Sequence, residues 1–146
     1  MSFNRALVSF SDSPQNGRAP HGSPVLVHVT AAQTDGTIGI WENFVAPGKG
    51  PTPHTHTRET EVFRVIEGTF RFWCGEDSFE GGAGTVVTLP PNVLHHWVNI
   101  GETTGRMMGI VSPGGAERLF LELAAIVNPT PEDIARVEQS LGITSH

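Results

Sequence analysis

The stretch Gly48-Lys49-Gly50-Pro51-Thr52-Pro53-His54-Thr55-His56-Thr57-Arg58-Glu59-Thr60-Glu61 decides how this chain is read, because its last eight positions hold two imidazoles and two carboxylates. Alternate side chains of a β-strand share a face, so His54 and His56 point one way and Thr55 the other. Parity changes between His56 and Glu61, and a bend or bulge near Thr57 to Thr60 is needed to return Glu61 to the histidines. Glu59 shares parity with Glu61 and is the rival carboxylate. Pro51 and Pro53 keep the approach to His54 extended, since each restricts the residue before it to β or polyproline geometry. Taken alone, the stretch is either a metal-binding turn or a polar hairpin with solvent-exposed histidines.

A second stretch runs from Gly84 to Asn99 and ends Pro90-Pro91-Asn92-Val93-Leu94-His95-His96-Trp97-Val98-Asn99. It offers a third imidazole, and strand alternation lets only one of His95 and His96 face inward. The two stretches resemble the paired motifs of the cupin superfamily. The first motif is Gly, five residues, His-x-His, three or four residues, Glu, six residues, Gly, which Gly48, His54, His56, Glu61 and Gly68 fit throughout. The second is Gly, five residues, Pro-x-Gly, two residues, His, three residues, Asn. Gly84, Pro90, His95 and Asn99 fit it, and Asn92 stands where the family usually has Gly. Asn is the non-Gly residue that best tolerates positive φ, so the turn survives the change.

The resemblance implies an all-β fold, a cupin jelly-roll β-barrel (double-stranded β-helix), of the small single-domain, quercetin dioxygenase-like kind. It also implies His54, His56, Glu61 and His95 as ligands of one divalent transition metal ion, with Fe, Mn, Ni, Cu and Zn all open. The motif spacing prefers Glu61 to Glu59 and His95 to His96, and it gives Asn99 a bracing role. Neutral imidazoles suit first-row divalent ions, and a single carboxylate leaves the centre Lewis-acidic. Four protein ligands leave positions open on an ion that takes five or six, and Glu61 could double as the catalytic base.

Composition bounds the rest. The chain has 146 residues, enough for one domain with its own core. Seventeen Gly and eleven Pro suggest short strands joined by tight turns. A formal charge of −6 with a single lysine, Lys49, argues against a nucleic-acid partner. No apolar run reaches the length of a signal peptide or membrane span, so a cytoplasmic protein with no membrane partner is expected. Cys74 is the one cysteine, sits beside the turn Gly75-Glu76-Asp77, and reads as structural.

Along the chain, residues 1–24 read as an N-terminal arm, irregular where Ser, Pro, Gly and Asn crowd residues 11–24. Residues 25–112 read as the barrel domain. Val25 to Thr30 and Thr37 to Val45 are expected strands, followed by Glu61 to Gly68, Thr69 to Cys74, two short strands near Phe79 and Val87, then Leu94 to Ile100 and Gly105 to Val111. Residues 113–146 read as a helical tail packed on the barrel. Leu119, Phe120, Leu123, Ile126 and Val127 recur at helical spacing. A second helix starts with Thr130 as N-cap and Pro131 at its first position, and turns Ile134, Val137 and Leu141 to one face before Gly142. His28, on the first expected strand, reads as a packing histidine. Val25 to Thr30 is taken as an open sheet edge, which argues for a homodimer.

Two function classes follow. The first is a metal-dependent dioxygenase-like enzyme acting on a small aromatic or dicarbonyl compound, held in a substrate pocket of Phe63, Val65, Phe72 and Trp97, with Phe70 and Met107 or Met108 beside them. The second is a non-catalytic carrier or sensor that holds a metal or small ligand. Sugar-phosphate isomerase chemistry is weaker, for Lys49 and Arg58 are thin support for a phosphate clamp. An epimerase relying on a tyrosine acid fits badly, because the chain has no Tyr. No DNA-binding segment is expected.

Overall fold

The computed structural model describes residues 3–146, so the first two residues of the expected arm, Met1 and Ser2, lie outside the described residues. Among the described residues eleven strands form: β1 (Gln15–Arg18), β2 (Pro24–Val29), β3 (Gly39–Val45), β4 (His54–His56), β5 (Thr60–Glu67), β6 (Phe70–Cys74), β7 (Asp77–Gly81), β8 (Val86–Leu89), β9 (His95–Asn99), β10 (Gly105–Ser112) and β11 (Ile143–Ser145). They make two sheets, ordered β1-β2-β3-β10-β5-β8 and β11-β4-β9-β6-β7. Every pairing is antiparallel. Two short helices, α1 (Arg118–Ala124) and α2 (Pro131–Ser140), follow β10. No helix is long and apolar enough to cross a membrane. This is the mostly-β, two-sheet architecture expected from the motifs.

Period-2 patterning explains why these strands face as they do. On β5, Glu61, Phe63 and Val65 are buried while Arg64 is exposed. On β9, His95, Trp97 and Asn99 are buried and His96 and Val98 less so. On β10, Met107 is inward and Met108 is not. Trp41, Val45, Phe63, Val65, Leu89 and Met107 of the first sheet meet Phe70, Phe72 and Trp97 of the second in one core. Each such large side chain contributes about 1.5–3 kcal/mol on full burial. Asn92 takes positive φ (64°), as its place in the second motif requires, and its N–H donates to the His56 carbonyl at 2.7 Å.

Four local readings change. Residues 15–18 are not irregular: β1 pairs with β2 from Gln15↔Val27 to Arg18↔Pro24. Polar composition hid an edge strand whose role is backbone pairing, and Gly17 lets α1 lie on it, since a Cβ there would meet Phe120 Cβ at 2.9 Å. Val25 to Thr30 is therefore no open edge, being covered by β1 on one side and β3 on the other. Helix α1 stops at Ala124, so Ile126 and Val127 are off it, and Val127 is 88% exposed. The tail also ends in a strand, β11, which pairs with β4 from Ile143↔His56 to Ser145↔His54. The α2 start stands as read: the Thr130 hydroxyl accepts from Asp133 N–H, and Asp133 Oδ2 accepts from Thr130 N–H.

Asn92→Ala is expected to lower stability by about 1 kcal/mol, and Asn92→Gly to change it by less than about 0.5 kcal/mol, because only glycine removes the Cβ penalty at positive φ. Urea midpoints measured at constant m-value check both.

Candidate metal centre

The four residues of the two motifs meet in space. His54 of β4 lies opposite His95 of β9 in register, and their ring centroids are 4.5 Å apart. His56, two residues along the same face, stacks on His95 at 5.5 Å and 12°. Glu61 comes from the other sheet. The parity change between His56 and Glu61 is no bulge within a strand: residues 57–59 carry the chain from one sheet to the other. One ligand atom from each of the four residues lies within 4.8 Å of all the others. Glu61 Oε2 is 3.4 Å from His56 Nε2, and Glu61 Oε1 is 3.5 Å from His95 Nε2. These separations are long for hydrogen bonds but suit neighbouring ligands of an ion bonded at about 2.1 Å.

Second partners fix each ring. His54 Nδ1 donates to the Thr52 carbonyl at 2.8 Å, His95 Nδ1 to the Val93 carbonyl at 3.0 Å, and His56 Nδ1 to Glu59 Oε2 at 3.2 Å. A proton on every Nδ1 leaves every Nε2 as a lone pair aimed inward, the arrangement that metal-binding imidazoles use. His95 Nε2 is buried and takes no hydrogen bond. An atom of that kind, facing two other imidazole nitrogens and a carboxylate, fits a divalent ion. Glu59, the rival carboxylate, is thus the brace of His56 and is 2% exposed.

The electrostatics are those of a charged group surrounded by imidazoles. Burial would raise the Glu61 pKa, but His56, His95 and His54 outweigh it and hold the carboxyl at about 2. Burial pushes His54 down to about 4, against the pull of Glu61 and helped by His95 and His56. For His56 burial also opposes charge, yet Glu61 and then Glu59 overcome it, and the pKa is raised above the ordinary value.

The other polar candidates sort as read. His96 stacks outside the barrel on Trp73 at 4.3 Å and 3°. His28 bonds Ser9 Oγ at 2.7 Å and Glu42 Oε1 at 2.9 Å, away from the cluster. Asn99 Nδ2 donates to the carbonyls of Val45 and Thr103 at 2.8 and 2.9 Å, and its Oδ1 accepts from Gly101 N–H at 2.8 Å, so it braces the turn. The Cys74 thiol is pushed up by burial and then by Asp77.

A cavity of about 60 Å³ adjoins the cluster, with His54, His56 and Glu61 in its wall. Trp41, Phe63, Trp97 and Phe120 make it aromatic. Of the four residues expected at a substrate pocket, Phe63 and Trp97 line this cavity. Val65 and Phe72 do not line it. Val65 lies four residues beyond Glu61 on β5, roughly 13 Å at about 3.3 Å per residue, and Phe72 packs deeper, on Phe79 and Phe63. Four polar residues that the sequence reading missed also line the space: His21, Asn43, Glu138 and Ser145. Ser145 Oγ donates to Glu138 Oε2 at 2.6 Å, and burial raises the Glu138 pKa against that bond and against His56. A signal for Glu138 existed, since it falls four residues after Ile134 and three before Leu141, on the buried stripe of α2. His21, in the glycine- and proline-rich arm, carried none.

The fold and the site together define a class, the antiparallel two-sheet barrels with an internal three-histidine, one-carboxylate cluster. Residues 43–111 match the family described as Cupin domain. A germin-like protein of Mesembryanthemum crystallinum is 37% identical over 92 residues, covering 53% of this chain and 39% of that protein. Quercetin 2,3-dioxygenase of Bacillus subtilis is 27% identical over 100 residues, covering 67% of this chain and 29% of the relative. The chain thus spans less than half the length of either relative. A solved RmlC-like cupin of Shewanella frigidimarina superposes with a TM-score of 0.66 at 20% identity, covering 78% of this chain and 96% of that one. That likeness shows the fold.

About one divalent ion per chain is expected, with occupancy lost in His54→Ala, His56→Ala, His95→Ala and Glu61→Ala and kept in His28→Ala and His96→Ala, as read by elemental analysis. Affinity should fall as pH drops, because the ion competes with protons for the imidazoles. The raised pKa of His56 places the onset of that loss above the ordinary histidine value, and His54, neutral down to about 4, adds nothing until the solution is far more acid. A metal titration repeated between pH 8 and pH 5 checks the direction.

Proposed function

We propose that the chain holds one divalent transition ion at His54, His56, Glu61 and His95 and acts as a dioxygenase-like enzyme on a small aromatic or dicarbonyl compound. The observation that carries the reading is the convergence of three Nε2 lone pairs and a carboxylate at the wall of an aromatic cavity. Four protein ligands leave positions open on an ion that takes five or six, and the cavity gives a ligand access to them. The volume of about 60 Å³ is well below the roughly 300–1,000 Å³ of sites for drug-sized molecules and favours a small ligand. No Lys or Arg lines the cavity, so nothing there favours a sugar phosphate.

A bound ion would supply Lewis acidity toward a phenol, enol or carbonyl oxygen and, for Fe, Mn, Ni or Cu, a route to dioxygen. The chain's own residues do the rest. Thr52, Glu59 and Val93 keep the three imidazoles in one tautomer. Trp41, Phe63, Trp97 and Phe120 exclude water and offer faces to a ring. Glu61 is the proposed catalytic carboxylate, yet a group held at about 2 is a weak base and acts first as a ligand. Glu138, whose pKa burial raises, is the better placed of the two to carry a proton in and out of the cavity.

The competing reading, a carrier or sensor, draws on the small volume of the cavity. Oxygen uptake by iron-, manganese-, nickel- and copper-loaded protein with catechol and acetylacetone separates the two. An enzyme consumes oxygen with at least one pair, and Glu61→Gln then keeps part of its metal while losing turnover by about 100-fold or more. Tight metal binding with no uptake in any pair selects the carrier or sensor.

The same reading includes a homodimer, resting on the arm in place of the β2 edge. Phe3, Leu7, Val8 and Phe10 are 45%, 42%, 65% and 66% exposed, an apolar row that a second copy would cover. Light scattering at micromolar concentration should give twice the chain mass, and a monomer rejects the dimer.

A further inference from the structure

Six buried polar side-chain atoms take no hydrogen bond among the described residues, and four of them belong to three residues of the cavity wall. These are Nδ1 and Nε2 of His21, Nε1 of Trp41 and Oδ1 of Asn43. A fifth, His95 Nε2, is accounted for by the metal site. Buried polar groups are nearly always paired, so three unpaired residues around one space point to a polar occupant.

Their geometry is rigid. Trp41 and Asn43 sit two residues apart on β3, share its inward face, and are 1% and 2% exposed. The indole of Trp41 occupies room that Gly109 leaves, where a Cβ would come within 2.4 Å of it, and Phe63 meets it edge-on at 6.1 Å. The His21 ring stands edge-on to Trp97 at 5.8 Å and 89°. Burial, then Lys49, push His21 down to about 4, so the ring is neutral at pH 7. The trio's chemistry is complementary: the indole only donates, the amide oxygen only accepts, and a neutral imidazole does one of each. A hydroxyl, which both donates and accepts, matches that set. A carboxylate or phosphate does not, because no cation lines the cavity.

We propose that His21, Trp41 and Asn43 form a second recognition point, which binds a neutral hydroxyl of the substrate away from the oxygen held at the metal centre. The proposal rests on the metal-chelating substrate put forward above and deepens it. The substrate is then a small ring or chain compound with one oxygen function for the ion and a separate hydroxyl for the first sheet. A site built to hydrogen-bond a hydroxyl rejects the analogue that lacks it, because its own groups are left unpaired.

Zinc-loaded protein, inert to redox, allows the test by calorimetry with catechol and with 3,4-dihydroxybenzyl alcohol, which adds one hydroxyl. Wild type should bind the alcohol about tenfold more tightly than catechol. Trp41→Phe, Asn43→Leu and His21→Phe should each cut that preference several-fold, with zinc content unchanged to show that the fold and the metal centre persist. A wild-type preference that all three variants retain overturns the proposal and leaves the proposed function standing, as does equal binding of both probes by wild type, which would mean that water satisfies the three residues. Failure of both probes to bind zinc-loaded wild type removes the chelating-substrate reading and this inference with it, while the zinc content still reports on the metal centre.

Discussion

Glu61 is 4% exposed and ionised, and taking a carboxylate out of water costs several kcal/mol unless charge and hydrogen bonds meet it inside. Everything that meets it stands on the opposite sheet. Glu61 belongs to β5 of the first sheet, whereas His54, His56 and His95 belong to β4 and β9 of the second. The sheets therefore cannot close without assembling the cluster, and the cluster cannot form unless the sheets close. Imidazoles held by their Nδ1 protons to Thr52, Glu59 and Val93 cannot turn away, so the inner space stays lined with lone pairs. A divalent ion bound among them would add a positive charge beside the Glu61 carboxylate.

The C-terminal segment answers to the same constraint. Strand β4 is three residues long and meets β9 through the single pair His54↔His95, too little to hold two ligands steady. Strand β11 adds three residue pairs on the other side of β4 and carries Ser145 to Glu138. The tail is thus part of the wall behind the histidines as well as a cover for the barrel. The same segment places a second carboxyl in the cavity, on a helix that is itself fixed by the Thr130 and Asp133 capping box.

How much of this could be read beforehand follows from the range of the forces involved. Alternation on β5 is local, so the shared face of Glu61, Phe63 and Val65 was legible from the order of residues, whereas His95 was preferred to His96 by motif spacing and alternation on β10 left Met107 and Met108 both open. The turn that leads to His95 is set locally by Pro90, Pro91 and Asn92, the last with a φ of 64°. Strands β1 and β11 escaped notice since neither has an apolar pattern of its own: each exists because a neighbour offers an unpaired edge. The limit of the pocket was misjudged at Val65 and Phe72 for a related reason. Parity tells which side a residue faces, but how far along the barrel the open space extends depends on what fills it from both sheets. His21 was illegible because a loop of Pro, Gly and Ser is placed only by the strands it joins.

Hydrophobic burial and unmet hydrogen bonds pull in opposite directions around the cavity, and the contrast locates function. The aromatic walls contribute to stability by their burial. Unpaired buried donors and acceptors contribute against it, by about 1–3 kcal/mol each. A fold of marginal stability has little room for several such losses. Among the described residues the unpaired atoms are nevertheless concentrated at the cavity and the metal cluster, with only Glu122 Oε2 lying elsewhere. Random imperfection would scatter them through the core. Their residues instead share the wall of one cavity with His54, His56 and Glu61, which is the pattern expected of a site that a ligand completes.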